Sequence, residues 1–171
     1  MKILKPIFLI TVAALAGGLA ALPAHADDAS CKPVADAMAK MAGTPYHEVG
    51  TTNGKPFEKI YTTTMLYIGS NGHWMKTPAT PKDVLDAQRE TGSMYSHCKM
   101  LRTETIDGQR ATIYAAHTQT TMPVGSGDAQ IWIGANGLVL KTISDQQVAG
   151  YKAHAEVHLT YDNVRAPAGA Q

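Results

Sequence analysis

Seven histidines and two cysteines are the side chains best suited to chemistry in this sequence, and their spacing limits what they can do. His154 and His158 share one face of an alternating stretch, where a strand's rise of about 3.3 Å per residue separates them by roughly 13 Å. A zinc site needs three or four converging ligands, and His154 with Glu156, about 7 Å apart on the same face, supplies two. No His-Glu-x-x-His, His-x-His or Cys-x-x-Cys spacing occurs. The stripe reads as a solvated strand face, and no metal is expected. Ser126 lies in Gly125-Ser126-Gly127, which is not the Gly-x-Ser-x-Gly of a nucleophile elbow. The carboxylates are scattered, without a pair placed for acid–base work. Gly134 to Gly137 opens no helix that could cradle a phosphate. The chain is therefore read as non-enzymatic and without a cofactor.

The elements around these residues begin with an address. Lys2 and Lys5 precede an uncharged apolar run, Ile7 to Leu22, followed by Pro23, Ala24-His25-Ala26 and then Asp27-Asp28. This is the pattern of a secretory signal peptide, residues 1–26, cleaved after Ala26. The run is shorter than the roughly 20 residues of a spanning helix, and nothing later approaches that length. A periplasmic or extracellular protein without a transmembrane segment is expected. In such a compartment Cys31 and Cys98 read as a disulfide, worth on the order of 4 kcal/mol in the chain-entropy model. The 171 residues carry 15 Lys plus Arg against 14 Asp plus Glu. A near-neutral chain without a basic stripe is a poor partner for nucleic acid.

Val34, Met38 and Met41 recur at helical spacing in Lys32–Ala42, with Ser30 as the expected N-cap and Pro33 in the first turn. Tyr46–Thr52, Phe57–Ile68 and His73–Thr77 read as a three-stranded meander, punctuated by Asn53-Gly54 and Asn71-Gly72. Thr80-Pro81 opens a second helix. Beyond it, His97–Thr105 and Arg110–Thr120 flank Asp107-Gly108, and Gln130–Gly134 and Leu138–Ser144 flank a turn at Ala135-Asn136-Gly137. Lys152–Val164 alternates, with Ala153, Ala155, Val157, Leu159 and Tyr161 on one face. The expectation is an α+β chain: one domain over residues 27–165, with a curved, mostly antiparallel sheet of about seven or eight strands. One or two short helices cover the sheet, and residues 166–171 form a tail.

Eight methionines, seven tyrosines and two tryptophans suit either ordinary core packing or a surface that accepts varied apolar ligands. Gln130-Ile131-Trp132-Ile133 followed by Asn136-Gly137-Leu138-Val139-Leu140-Lys141 resembles the strand–turn–strand of the outer-membrane lipoprotein carrier superfamily. Gly108–Ala115, with Tyr114, resembles the preceding strand of that family, and Leu159–Val164 with Ala166-Pro167 its closing strand and turn. The chain departs from the pattern at Gly134, where Asp is common, and at Val139, where Pro is frequent. The resemblance implies a curved antiparallel sheet closed by helices around an apolar cavity for lipid or acyl chains. Met65, Leu66, Trp74, Tyr114 and Trp132 are the expected lining residues. Two functions remain open on these grounds. One is a soluble binding protein for a lipid, acyl chain or other hydrophobic ligand. The other is a secreted interaction module that engages an envelope protein through loops such as Gly50–Pro56 and Thr120–Asp128.

Overall fold

The structure, a computed structural model, describes residues 29–70, 72–121 and 124–169. The leader and its cleavage site lie outside the described residues. Among these residues nine strands form one antiparallel sheet. In chain order they are β1 (Tyr46–Thr52), β2 (Lys55–Tyr61), β3 (Met65–Ser70), β4 (His73–Pro78), β5 (Tyr95–Ile106), β6 (Gln109–Thr121), β7 (Val124–Gly134), β8 (Val139–Val148) and β9 (Tyr151–Thr160). Their spatial order is β4-β3-β2-β1-β9-β8-β7-β6-β5. Helix α1 (Lys32–Met41) precedes β1, and α2 (Pro81–Ser93) joins β4 to β5.

That connection forces the sheet to curl. The edge strands β4 and β5 would stand about 38 Å apart in a flat nine-stranded sheet. The helix between them has 13 residues, about 20 Å of rise. The few flanking residues add at most about 10 Å, so the two edges must approach each other. Glycine permits the bend. A Cβ at Gly127 would stand 2.1 Å from the carbonyl oxygen of Asp145, and one at Gly50 would stand 2.6 Å from that of Glu156. Neighbouring strands cross too closely there for any side chain.

α1 fills the inside of the curl. Val34, Met38 and Met41 are buried, as their spacing predicts, against Tyr46, Tyr61, Ile131, Val139 and Leu159. Its N-cap is Cys31 rather than Ser30, and no side chain caps it. Cys31 is instead bonded to Cys98, which ties the start of the helix to the edge strand β5. At α2, Asp83 N–H donates to Thr80 Oγ1 (3.3 Å) while Thr80 N–H and Oγ1–H donate to Asp83 Oδ2 (2.8 and 2.7 Å). This reciprocal cap holds the Asp83 carboxyl below its ordinary range.

Two expectations need correction. Phe57–Ile68 is not one strand: the chain reverses at Thr62–Thr64, where Thr63 has φ 73° and Thr62 N–H donates to the Met65 carbonyl (3.0 Å). The meander thus has four strands and the sheet nine. A β-branched residue in the left-handed region gives no turn signal. Neither Thr120–Asp128 nor Gly50–Pro56 is a loop: β6 and β7 stay paired out to Thr121↔Val124, and β1 and β2 out to Thr52↔Lys55 around the turn Asn53-Gly54. Gly125 and Gly127, which look like loop residues, serve the close strand crossing.

Candidate functional site

Paired residues on adjacent antiparallel strands share a face, so the register sorts every strand residue into an inner face toward the helices or an outer face. One inner row runs Met100–Tyr114–Ile131–Thr142–Val157–Gly50–Phe57 across six pairings. α1 buries Ile131 completely, whereas Tyr114, Thr142, Val157 and Phe57 are only half-buried. The adjacent row adds Ser144 and Ala155, small and half-buried. At the β3–β4 edge the inner face ends in Ile68 and Met75, the latter 69% exposed. The helices therefore cover one part of the inner face tightly and leave the rest as a shallow apolar band reached by solvent.

Along the border between the two parts runs the row Leu159–Glu48–Lys59–Ile68–Met75. Lys59 Nζ donates to both Glu48 oxygens at 3.0 Å, and the Glu48 side chain is 13% exposed. Burial, with the Glu48 charge adding to it, pushes the Tyr46 phenol well above its ordinary range. Burial does the same for Tyr161, with Tyr46 and Glu48 adding. Tyr161 O–H donates to the Val139 carbonyl at 2.5 Å, and Tyr61 O–H to the Ala42 carbonyl at 3.2 Å. These phenols stay protonated, and those of Tyr61 and Tyr161 bind backbone carbonyls. Deeper on the inner face, Thr118 is 4% exposed and its Oγ1 has no hydrogen-bond partner. Its strand neighbours in register are Tyr95 and Gly127.

The five expected lining residues divide between the faces. Tyr114 and Leu66 lie on the inner face and pack against the core around α1. Met65, Trp74 and Trp132 lie on the outer face. Trp74 lies against Gly69, at whose position a Cβ would stand 3.0 Å from the ring. It lines an outer-face depression of about 270 Å³ with Val49, Pro56 and Glu58. Trp132 packs with Ala111, Ile113 and Leu140, donates its indole N–H to Glu104 Oε1 at 2.6 Å, and has the Lys141 ammonium 5.5 Å above its ring. The indole hydrogen bond, with Arg102 adding, holds the Glu104 carboxyl below its ordinary range. Leu140 and Lys141 both fall on Trp132's side because the register shifts there by one residue. The border pair Glu48–Lys59 escaped the sequence reading, since nothing in Glu48-Val49 or Glu58-Lys59 distinguishes an inward charge from an outward one.

The histidine stripe of β9 lies beside carboxylates on the outer face. His154 Nδ1 lies 2.8 Å from Asp145, His158 Nε2 3.3 Å from Glu156, and Lys141 also binds Glu156. Among the described residues no three His, Cys, Asp or Glu side chains group as metal ligands. No described helix is long and apolar enough to cross a membrane.

No family model matches the chain, and no curated protein matches it. Its fold is similar to LprF from Mycobacterium bovis, with TM-score 0.52 at 12% identity over 83% of this chain and 97% of that one. The lipoprotein LppX from Mycobacterium tuberculosis aligns over 81% of this chain and 98% of its own at TM-score 0.48 and 11% identity. An outer membrane lipoprotein-sorting protein domain from Vibrio parahaemolyticus aligns at TM-score 0.20 and 7% identity. The last two likenesses are remote. The curved antiparallel sheet with inner helices that the sequence resemblance implied is present, and it is the fold of LprF.

Proposed function

We propose that the chain is exported by its leader and works in the periplasm or outside the cell as a non-enzymatic carrier or sensor of a hydrophobic ligand, a lipid or acyl chain. One observation carries this reading: past Ile131, which α1 covers completely, the inner face continues as an apolar, solvent-reached band from Val157 through Phe57 to Ile68 and Met75. A contiguous run of apolar residues left open along one sheet face marks a surface that a ligand or partner can cover. An acyl chain laid along the band removes that surface from water, at about 0.8 kcal/mol per buried methylene. Tyr114 and Leu66 are the inner-face lining residues in this reading, while the outer-face Met65, Trp74 and Trp132 stand apart from the ligand. The test is native mass spectrometry of the mature, oxidised protein recovered from its own compartment, with solvent extraction of any adduct. A removable lipid-sized adduct supports the reading. A bare mass, together with failure to bind a fluorescent fatty acid, rules it out.

A second reading, an interaction module for an envelope protein, is favoured by the filled core beneath α1, where Val34 and Ile131 are wholly buried. The long edge strand β5 adds exposed Met100 and Leu101. A stoichiometric partner recovered by cross-linking in the periplasm, with no lipid bound, would select it.

A further inference from the structure

The Glu48–Lys59 pair stands where a sheet gains least from it. Exposed cross-strand pairs such as His154–Asp145 lie on the outer face, in water, and cost little to form. Glu48 and Lys59 instead face inward, between the buried pair Tyr46 and Tyr61 and the apolar residues Phe57, Ile68 and Met75. Drawing the Glu48 side chain (13% exposed) and, less fully, that of Lys59 (31% exposed) out of water offsets part of their attraction, so an apolar pair of similar size would hold β1 to β2 comparably. A lysine ammonium also carries three donors, and Glu48 engages it through its two oxygens.

We infer that Glu48 and Lys59 form the head-group subsite for an amphiphile carrying both charges, a zwitterionic phospholipid or lysophospholipid whose acyl chain lies on the apolar band. This rests on the carrier reading and names the ligand class. A purely anionic head at Lys59 would place a second anion beside the half-buried Glu48 carboxylate. A purely cationic head at Glu48 would do the reverse to Lys59. A head with a phosphate and an ammonium lets each side chain keep an opposite charge while the two separate. The band begins beside the pair, with Ile68 opposite Lys59 and Met75 opposite Ile68, so a chain attached to such a head meets apolar surface at once.

The test uses the oxidised mature chain and three probes with the same acyl chain: lysophosphatidylethanolamine (zwitterion), lysophosphatidylglycerol (anion) and monoacylglycerol (neutral), each titrated by calorimetry. The expected result is a preference of about tenfold for the zwitterion over the other two, the scale of one charged hydrogen bond. Glu48→Gln should move the preference to the anion, and Lys59→Gln should remove anion binding. The exchange E48K with K59E keeps a pair, guards against a folding failure in either single variant, and should restore the zwitterion preference. Equal affinity for all three probes, a wild-type preference for the anion, or an order unchanged in the single variants overturns the head-group assignment and leaves the carrier reading standing. Binding of none of the three overturns both.

Discussion

Cys31 and Cys98 join the first helix to the edge of the sheet, their Cα atoms 4.9 Å apart, and the backbone of His97 makes that reach possible. His97 has φ 53°, and between Ser96 and Lys99 the edge strand carries one residue more than its partner. This bulge re-aims the strand and turns Cys98 inward. The disulfide then closes 67 residues of sequence.

Removing the cross-link as Cys31→Ala with Cys98→Ala should therefore lower stability by about 4 kcal/mol. Urea unfolding of the double variant, and of the wild type with and without reductant, measures this. Hydrogen exchange should show β5 losing protection first, because α1 no longer holds that edge. A loss under about 1 kcal/mol would mean that the helix alone anchors the strand.

The strand crossing at Gly127 gives a sharper steric prediction. A Cβ there would meet backbone at 2.1 Å, whereas at Gly43 it would meet nothing within 4 Å. Gly127→Ala should cost about 3 kcal/mol or more, and Gly43→Ala should stay within about 0.5 kcal/mol. Thermal or urea midpoints of the two variants, measured side by side, decide it. Equal effects would place the curvature elsewhere.

These cases also show what could be read from the sequence. Val34, Met38 and Met41 mark α1, and Asn53-Gly54 and Asp107-Gly108 mark their hairpins with the positive φ values found there. Those features are local, governed by helical period and turn chemistry. Ala149-Gly150 makes the same kind of turn, with φ 49° and 84°, yet alanine at its first position carries no such signal. Thr62–Thr64 is harder still, since threonine favours the strand that is interrupted there. The candidate site was less legible than the fold. Tyr114 and Trp132 lie on adjacent paired strands, but their faces depend on a register that places Tyr114 opposite Ile131 and Ile113 opposite Trp132. Strand register is set jointly by the hydrophobic patterns and turns of strands that meet only in the fold, so no single residue type announces it.

Thr118 offers a test of inner-face packing. Its hydroxyl is buried without a partner, and such a group costs roughly 1–3 kcal/mol relative to an apolar isostere. Thr118→Val keeps the branched shape and removes the orphan oxygen. The empty protein should become more stable by about 1 kcal/mol, measured by urea unfolding. A loss of stability of that size would mean that a water or a ligand group satisfies the hydroxyl in solution.

The buried phenols set the alkaline limit. Burial pushes Tyr95 from its ordinary 10 up to about 12, and Tyr46, Tyr61 and Tyr161 shift in the same direction, chiefly through burial. Above pH 10 the unfolded chain sheds these protons while the folded chain keeps them, so the unfolded state binds fewer protons and stability falls as pH rises. Their contribution is intact below pH 10 and is lost progressively from about pH 10 to 12 for Tyr95, and to higher pH for Tyr46 and Tyr161. Each phenol adds at most about 1.4 kcal/mol per pH unit to the slope. Urea midpoints at pH 9, 10 and 11 should drop steadily, and Tyr95→Phe should flatten the profile between pH 10 and 11. A wild-type profile level through pH 11 would mean that solvent reaches the phenols and that the inner face opens far more widely than its packing indicates.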